Sequence, residues 1–234
     1  MRTREYIAII RQIPERKALL EFHGEHYQIP YTGRGVTGLG KPLRSIIHGN
    51  PDLKVYTAAI APTGLRAAGE VADGTLPIFM SPERPEAIVG PVREGIAKAG
   101  SGKTLADFDL APYVRVSMGE DLAACRDAIR PQLALYIGGM GARSKNFYND
   151  LTRRLGYEAA AVDIQDHFLS GRRKEAEALV PDALIDEISL VGPKERIRDR
   201  LQAWKGLAKD HRVGSLVLTG ATSDALRIVA EAVL

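Results

Sequence analysis

The segment from Val55 to Phe79, VYTAAIAPTGLRAAGEVADGTLPIF, constrains the fold of this 234-residue chain more than any other. It contains two short apolar runs, Val55 to Ile60 and Thr75 to Phe79, which are typical of buried strands. Between them, Pro62 can occupy the first position of a helix and Asp73-Gly74 can end it. Two strands joined by a helix predict a βαβ unit, and therefore a parallel sheet covered by helices.

The loop between the first strand and the helix is a candidate anion site. Ile60, Ala61, Thr63 and Gly64 follow the carboxyl end of the strand and surround the amino end of the helix. Backbone N–H groups at this end of a helix have no partner within the helix, and the helix dipole favours negative charge. We therefore expect a phosphate group to bind there.

Helical and strand periodicities continue on both sides of this unit. Helices are predicted from near Arg2 to Pro14, from Ser81 toward Lys98, from Glu120 through Pro131 to Tyr136, throughout Gly138 to about Asp186, from Gly192-Pro193 past Leu207, and after a cap at Thr222-Ser223-Asp224. Further β structure is predicted as a hairpin from Phe22 to Ile29, strands at Tyr113 to Met118 and Val213 to Thr219, and weaker strands at Leu43 to His48 and Leu190-Val191.

Strands that alternate with helices predict an α/β fold with parallel pairing. About four to five parallel strands are too few for a closed TIM-type (β/α)8 barrel, which needs eight strands and about 250 residues. The pattern therefore predicts a partial barrel, its second half, with covering helices and a helical insertion after Gly138. We assign residues 1–234 to a single barrel domain that lacks the N-terminal β/α units.

Composition limits the possible partners and compartment. The 32 basic and 29 acidic residues give a net charge of +3 without a long block of one sign, so neither a nucleic-acid nor a membrane partner is predicted. The single cysteine, Cys125, predicts a packed core thiol in a protein of the reducing cytosol. No apolar run approaches the roughly 18 residues of a membrane span. We expect a soluble, cytoplasmic protein that acts on a small molecule.

Two glycine-rich motifs imitate nucleotide-binding fingerprints. The stretch from Gly33 to Gly38 matches G-x-G-x-x-G, and Asp52 follows about twenty residues later. Nearby prolines leave no helix for these glycines to open, so we interpret the stretch as a surface loop. The stretch from Gly100 to Thr104 resembles the end of a phosphate loop, but position 97 is Ala97 and a helix precedes it instead of a strand. No nucleotide site is predicted at either motif.

Three other sets of residues are weaker candidates. Gly138-Gly139-Met140-Gly141 is interpreted as the end of a helix, with Arg143 and Lys145 reaching an anionic cofactor tail or substrate as the alternative. Thr219 to Thr222 is a second strand-to-helix loop and a rival anion site. His23 and His26 are the only closely spaced histidines, and a hairpin places them on opposite faces or across a turn, so no metal site is predicted. No Ser-His-Asp or Cys-His order indicates a nucleophile.

Five motifs resemble the luciferase-like monooxygenase family, and within it the oxidoreductases that use the deazaflavin coenzyme F420. They are REYIAII from Arg4, LRAAGEVADGTLPIFMSPE from Leu65, GKTLADFDLAP from Gly102, YIGGMGARSKNFYNDL from Tyr136 and SLVGPKERIRDRL from Ser189. The resemblance implies a β/α-barrel enzyme, often a homodimer, with its cofactor at the carboxyl face of the strands. It also implies that the positions of Ile60, Ala61, Thr63 and Gly64 meet the cofactor near its phosphate. Relatives often have glycine at the first two of these positions.

The resemblance further implies that this chain corresponds to only the C-terminal two-thirds of a family member. In the family, about four β/α units precede the helix that begins here at Arg2, and they carry the histidine and glutamate used as acid and base. No catalytic residue is therefore assigned. We expect a flavin- or deazaflavin-dependent oxidoreductase that transfers a hydride with coenzyme F420, or with FMN as the alternative, and that is inactive as this truncated chain.

Two other hypotheses stay open. The first is a non-catalytic half-barrel whose open sheet edges pair with a second copy or with another chain. The second is that Met1 is an internal methionine or a false start of a longer protein. Light scattering of the purified chain tests the first hypothesis, and the reading frame upstream of Met1 tests the second.

Overall fold

The amino-terminal part of the chain contains a helix and a small hairpin, as predicted. The computed structural model describes residues 2–233. Helix α1 (Arg2–Glu15) is followed by strands β1 (Phe22–His23) and β2 (Gln28–Ile29), which pair antiparallel. Within α1 the buried side chains are Ile7 and Ile9, which point to different sides of the helix because they are two positions apart.

The strand predicted from Leu43 to His48 does not form. Leu43 makes a single antiparallel bridge with Leu20, while Ile46 is 91% exposed and Ile47 is 62% exposed. These apolar side chains have no covering layer within residues 2–233. Strand propensity depends on packing against neighbours, so it does not produce a strand here.

The predicted βαβ unit forms, but with shorter strands. It consists of β3 (Tyr56–Thr57), α2 (Pro62–Val71) and β4 (Gly74–Thr75), and the two strands pair in parallel. Pro62 occupies the first turn of α2, as predicted. The strand predicted to reach Phe79 ends early because Pro77 has no N–H to donate to a ladder.

Helix α3 (Glu86–Ala99) begins later than the predicted start at Ser81. Pro85 disfavours helical geometry at the residue before it, and the Ser81 hydroxyl accepts a hydrogen bond from the Arg84 N–H at 3.2 Å, which makes a turn instead of a helix cap. Helices α2 and α3 then pack in close contact. A Cβ atom on Gly95 would lie 2.0 Å from the carbonyl oxygen of Arg66, so only glycine permits this approach.

The next two strands run almost continuously. After a short 3-10 turn, β5 (Asp109–Leu110) forms where no strand was predicted, and β6 (Tyr113–Met118) forms as predicted. Side chains alternate along β6, so that Val114 and Val116 are 0% and 2% exposed while Tyr113 is 38% exposed.

A single bent helix was predicted through Pro131, and the structure breaks it into three pieces. These are α4 (Leu122–Asp127), α5 (Arg130–Ala134) and a π-helical turn over Leu135–Gly139. Pro131 lies in the first turn of α5, where its missing N–H costs no hydrogen bond. Cys125 is 6% exposed in α4, and its Sγ lies 3.6 Å from the carbonyl oxygen of Gly119, which confirms a packed core thiol.

The helical insertion and the carboxyl-terminal part also form as predicted. The insertion contains α6 (Phe147–Arg154), α7 (Glu158–Leu169), α8 (Arg173–Ala178) and α9 (Asp182–Ile188). It is followed by β7 (Ser189–Gly192), α10 (Lys194–Lys209), β8 (Val217–Thr219) and α11 (Ser223–Val233). Strand β8 is shorter than the predicted Val213 to Thr219.

The six strands from β3 to β8 pair only in parallel, which confirms the predicted α/β fold. They form two three-stranded sheets, with the orders β3-β4-β5 and β7-β6-β8, linked by a bridge between Ile78 and Tyr113. This arrangement does not confirm the continuous half-barrel that was predicted. One face of the sheets is packed against helices, whereas Tyr56 and Tyr113 on the other face are each 38% exposed. None of the described helices is both long and apolar enough to cross a membrane.

Candidate functional site

The carboxyl ends of the parallel strands bring several strand-to-helix loops to one edge of the sheets. In parallel α/β folds this edge is where ligands bind. The loop after β3 contains all four predicted site residues. Ile60, Ala61 and Gly64 are half-buried, and Thr63 is exposed. The structure therefore places them together around the start of α2, as the sequence predicted.

The start of α2 has free hydrogen-bond donors. Ala61 is extended, with φ −77° and ψ 142°, and its side chain provides no cap. The first intrahelical bond runs from the Leu65 N–H to the Ala61 carbonyl at 3.0 Å. The N–H groups of Thr63 and Gly64 therefore have no partner within the helix and lie at its positive end.

An arginine from the helical insertion lies against this loop. Arg154 of α6 donates one hydrogen bond to the Ile60 carbonyl at 2.8 Å and another to the Ala87 carbonyl at 2.9 Å. Burial lowers the pKa of its guanidinium, and nearby Asp150 opposes that shift. Arginine stays charged in proteins, so Arg154 adds a positive charge beside the free N–H groups. Sequence reasoning missed this residue because it is 94 positions away from Ile60.

The rival loop after β8 differs in its donors. The Thr222 hydroxyl accepts a hydrogen bond from the Ala225 N–H at 3.2 Å and so already satisfies one donor at the start of α11. Gly220 has φ 71°, and a Cβ there would lie 3.1 Å from the Nε of Arg115. The loop after β3 therefore offers the more open set of donors.

An aromatic cluster follows β4. Phe79, Tyr136 and Tyr148 have ring centroids 4.7 to 5.9 Å apart, and all three pairs meet edge to face. Phe79 has φ 60°, a strained conformation for a bulky residue. Burial raises the pKa of the Tyr148 hydroxyl. A positive φ leaves no trace in a sequence, so this feature was not predicted.

Glu187 connects the loop after β4 to the helical insertion. Its carboxylate accepts hydrogen bonds from the Arg84 guanidinium at 2.6 and 2.7 Å, from the Tyr157 hydroxyl at 2.6 Å and from the Ser81 hydroxyl at 3.0 Å. Its side chain is only 16% exposed. These four bonds hold the loop after β4 against α7 and α9.

The two glycine-rich motifs have structural roles, as predicted. Gly33 to Gly38 form turns and bends that lead into no helix. In the second motif the Lys103 ammonium donates to the Ala72 carbonyl at 2.9 Å and lies 5.3 Å from the centre of the Phe108 ring. Burial lowers the pKa of Lys103. The Lys103 ammonium thus makes contacts within the protein.

The helical run ends at Gly139, as predicted for the stretch from Gly138 to Gly141, but without a glycine C-cap. These glycines have no left-handed φ; instead, a Cβ on Gly139 would lie 2.3 Å from the Phe168 ring and one on Gly138 would lie 2.5 Å from its Cβ. They are needed for the close approach of Phe168 to the π-helical turn. Arg143 forms an ion pair with Asp166, and Lys145 is exposed.

His26 lies in a small polar cluster with Glu5 and Glu25, whose ligand atoms are within 4.8 Å of one another. Desolvation raises the pKa of Glu5, but its hydrogen bonds with the N–H groups of His26, Tyr27 and Glu25 lower the pKa by a larger amount. The net shift of the pKa is therefore downward. The three bonds are each 3.0 Å long and attach the hairpin to α1. The cluster thus has a structural explanation.

Comparison with known proteins identifies the family. The sequence profile of the luciferase-like monooxygenases matches residues 1–211. The chain belongs to the luciferase-like monooxygenase family. Over 99% of its length it is 37% identical to a Mycobacterium tuberculosis protein whose name provisionally assigns it as a coenzyme F420-dependent oxidoreductase, and it covers 66% of that protein. It is also 27% identical over 192 residues to the 5,10-methylenetetrahydromethanopterin reductase of Methanopyrus kandleri, covering 52% of it.

Solved structures show the same fold. The coenzyme F420-dependent tetrahydromethanopterin reductase of Methanopyrus kandleri superposes with a TM-score of 0.73 at 22% identity, over 99% of this chain and 61% of that one. An F420-dependent secondary alcohol dehydrogenase bound to an F420-acetone adduct superposes with a TM-score of 0.65 at 16% identity, with the same coverage. This family member therefore has an α/β fold like that of F420-dependent enzymes, and it spans about half to two thirds of the length of these relatives.

Proposed function

We propose that this chain supplies one wall of a coenzyme F420 site in an oxidoreductase that transfers a hydride. The observation that carries the proposal is the 37% identity, over 99% of the chain, with the M. tuberculosis protein whose name refers to coenzyme F420. FMN is the alternative cofactor, because other members of the family use it. When bound, the cofactor would supply the hydride chemistry.

The residues after β3 fit the anionic part of such a cofactor. The proposed contacts are the backbone groups of Ile60, Ala61, Thr63 and Gly64. Two free N–H groups, the positive end of a helix of 10 residues and the guanidinium of Arg154, which is held by the Ile60 carbonyl, all favour a phosphate at this loop. This supports binding and orientation of the cofactor by the chain's own residues, without assigning an acid or a base.

We also propose that catalysis needs a second wall of the pocket. Parallel sheets are normally covered on both faces, whereas here Tyr56 and Tyr113 lie 38% exposed on one face. Further β/α units of a (β/α)8 barrel would cover that face and complete the pocket. We therefore expect the chain alone to bind coenzyme F420 without turning over a substrate. Hydride transfer by the isolated 234-residue chain would contradict this expectation.

Two matched aspartate substitutions test the cofactor site. Thr63→Asp places a carboxylate at the start of α2, where it favours the helix but repels a phosphate. We expect the affinity for F420, measured through the cofactor's own fluorescence, to fall about tenfold, which corresponds to about 1.4 kcal/mol, while the melting temperature stays equal or rises. Thr222→Asp makes the same change at α11 and should leave the affinity within about twofold.

The two variants also show which of the two loops binds the phosphate. If Thr222→Asp weakens binding and Thr63→Asp does not, the phosphate binds after β8 instead of after β3. If neither variant weakens binding, the helix-terminus explanation is wrong. Parallel titrations with FMN decide between the two cofactors, because the tighter binder is the one that the pocket fits.

The second candidate function is a non-catalytic half-barrel that associates with itself or with another chain. The exposed face of Tyr56 and Tyr113 favours it, as does the position of β3 at the edge of its sheet. A homodimer is expected under either function, so the oligomeric state tests self-association, and F420 binding distinguishes the two candidate functions. Light scattering of the purified chain provides the test, and a stable monomer at high micromolar concentration would exclude self-association.

A further inference from the structure

An apolar groove lies between α10, the amino-terminal side of β8 and α11. Its volume is about 580 Å3, which is within the usual range for small-molecule pockets. Leu216, Leu218, Val229 and Val233 form its apolar walls. None of the residues lining it belongs to the loops that follow the strands, so the groove is separate from the proposed cofactor loop.

The rim of the groove is positively charged. Lys205 and Lys209 of α10 line it, and none of its lining residues within 2–233 carries a carboxylate. Within residues 2–233, neither ammonium lies within 4.0 Å of an acidic group. The Lys205 ammonium donates a hydrogen bond to the Ala232 carbonyl at 2.9 Å, which holds its charge beside the groove. An apolar groove with two cations at its rim is complementary to a ligand that has an apolar body and an anionic end.

Trp204 forms part of the same wall. It is 2% exposed, and its indole N–H has no acceptor among the described residues. Buried indole N–H groups normally find a partner, and this one is buried without a partner among residues 2–233. Trp204 is also the single tryptophan of the chain, which makes its fluorescence a specific reporter of the groove.

We propose that this groove binds an amphiphilic carboxylate, with an unbranched alkyl chain against the apolar walls and the carboxylate near Lys205 and Lys209. The apolar walls account for the alkyl chain, because each buried methylene contributes favourable transfer free energy. The two cations account for the anionic end. The volume suits one such molecule and is small for a folded protein segment.

A titration of the full chain with hexanoate, octanoate and decanoate, each below its micellar concentration, tests the proposal. We expect a saturable change in Trp204 fluorescence, with the affinity rising about fourfold for each added methylene until the groove is filled. Decanol has the same alkyl chain without the charge, and it should bind about tenfold more weakly than decanoate.

Three variants show whether the groove is the binding site. Lys209→Gln should weaken decanoate binding about threefold to tenfold and leave decanol binding unchanged. Lys194→Gln is the matched control at the other end of α10 and should change neither. Ala208→Phe fills the groove from its exposed rim, so it should abolish binding of both ligands while the melting temperature stays close to that of the wild type.

Several results would overturn the proposal. These are a fluorescence change without saturation or without dependence on alkyl length, equal effects of Lys209→Gln and Lys194→Gln, and unchanged binding in Ala208→Phe. A fluorescence shift that depends on protein concentration in the absence of ligand would also overturn it, because a second copy of the chain would then cover the groove.

Discussion

Replacing Gly95 with alanine should separate α2 from α3. These helices cross so closely that a Cβ on Gly95 would lie 2.0 Å from the Arg66 carbonyl oxygen, and one on Gly69 would lie 2.2 Å from the Val92 carbonyl oxygen. Both obstacles are backbone atoms, which cannot rotate away as a side chain can. Ordinary contacts are about 3.5 Å or longer, so the helices would have to move apart by more than about 1 Å.

The size of the effect follows from two opposing contributions. Overpacking of a close interface destabilises by about 1–3 kcal/mol, and alanine in place of a helical glycine stabilises by about 0.5–1 kcal/mol. Because the obstacle is backbone, we take the upper part of the first range. The net loss for Gly95→Ala is then about 2 kcal/mol, which lowers the melting temperature of a chain of this size by about 4–8 °C.

Gly90→Ala is the matched control. Gly90 lies in the same helix, and beyond its chain neighbours a Cβ there would meet the flexible end of Glu86 at 3.4 Å. We expect this variant to change the stability by less than about 1 kcal/mol, because the gain from alanine is opposed by Pro91, which restricts the residue before it. Thermal unfolding followed by circular dichroism, with urea titrations to convert the shifts to free energies, measures both variants. A stability of Gly95→Ala equal to or above that of Gly90→Ala would refute the explanation.

Two further predictions concern carboxylates. Glu187→Gln should destabilise the protein by about 2 kcal/mol in urea titrations, because a largely buried carboxylate loses its charge-assisted bonds. The control Glu86→Gln removes an exposed ion pair and should cost less than about 0.5 kcal/mol. Equal losses of stability in the two variants would contradict this prediction. Burial raises the pKa of Asp73, but its hydrogen bonds with the Val55 N–H and with Arg11 lower the pKa by more than burial raises it. The net pKa of Asp73 is therefore below the usual 3.8. The stability that it contributes is therefore present above about pH 3.8 and lost as the pH falls through the lowered pKa. The difference in melting temperature between the wild type and Asp73→Asn should shrink in acid, and a difference that grows instead would show that the sign is wrong.

Features with a local chemical cause were predictable from the sequence. Pro62 marks the start of α2 because proline suits the first helical turn, and the alternation in β6 predicted its bounds from Tyr113 to Met118. The family was identified from motifs spread along nearly the whole chain. The position of the loop between β3 and α2 was also predicted correctly, since it depends only on the order of strand and helix, whereas anion binding at this loop stays a prediction.

Features that depend on tertiary contacts were not predictable. The strand at Leu43 failed because no sheet covers it. The late start of α3 has a local cause instead, since Pro85 and the Ser81 turn compete with a helix there, and the prediction did not take them into account. The glycines before Met140 fit a helix end by local rules, but in the folded chain they make room for Phe168. Arg154 became part of the site only through folding, because no pattern near Ile60 indicates it.

The contact between Arg154 and the loop after β3 has a consequence for exchanging parts between relatives. This side chain joins the helical insertion to the carbonyls of Ile60 and Ala87. The insertion therefore holds the loop after β3 in position. A chimaera that replaces the insertion with one from another family member would have to preserve an arginine at this position. Without that arginine, the grafted segment would fold but would not make the hydrogen bonds that hold the loop after β3.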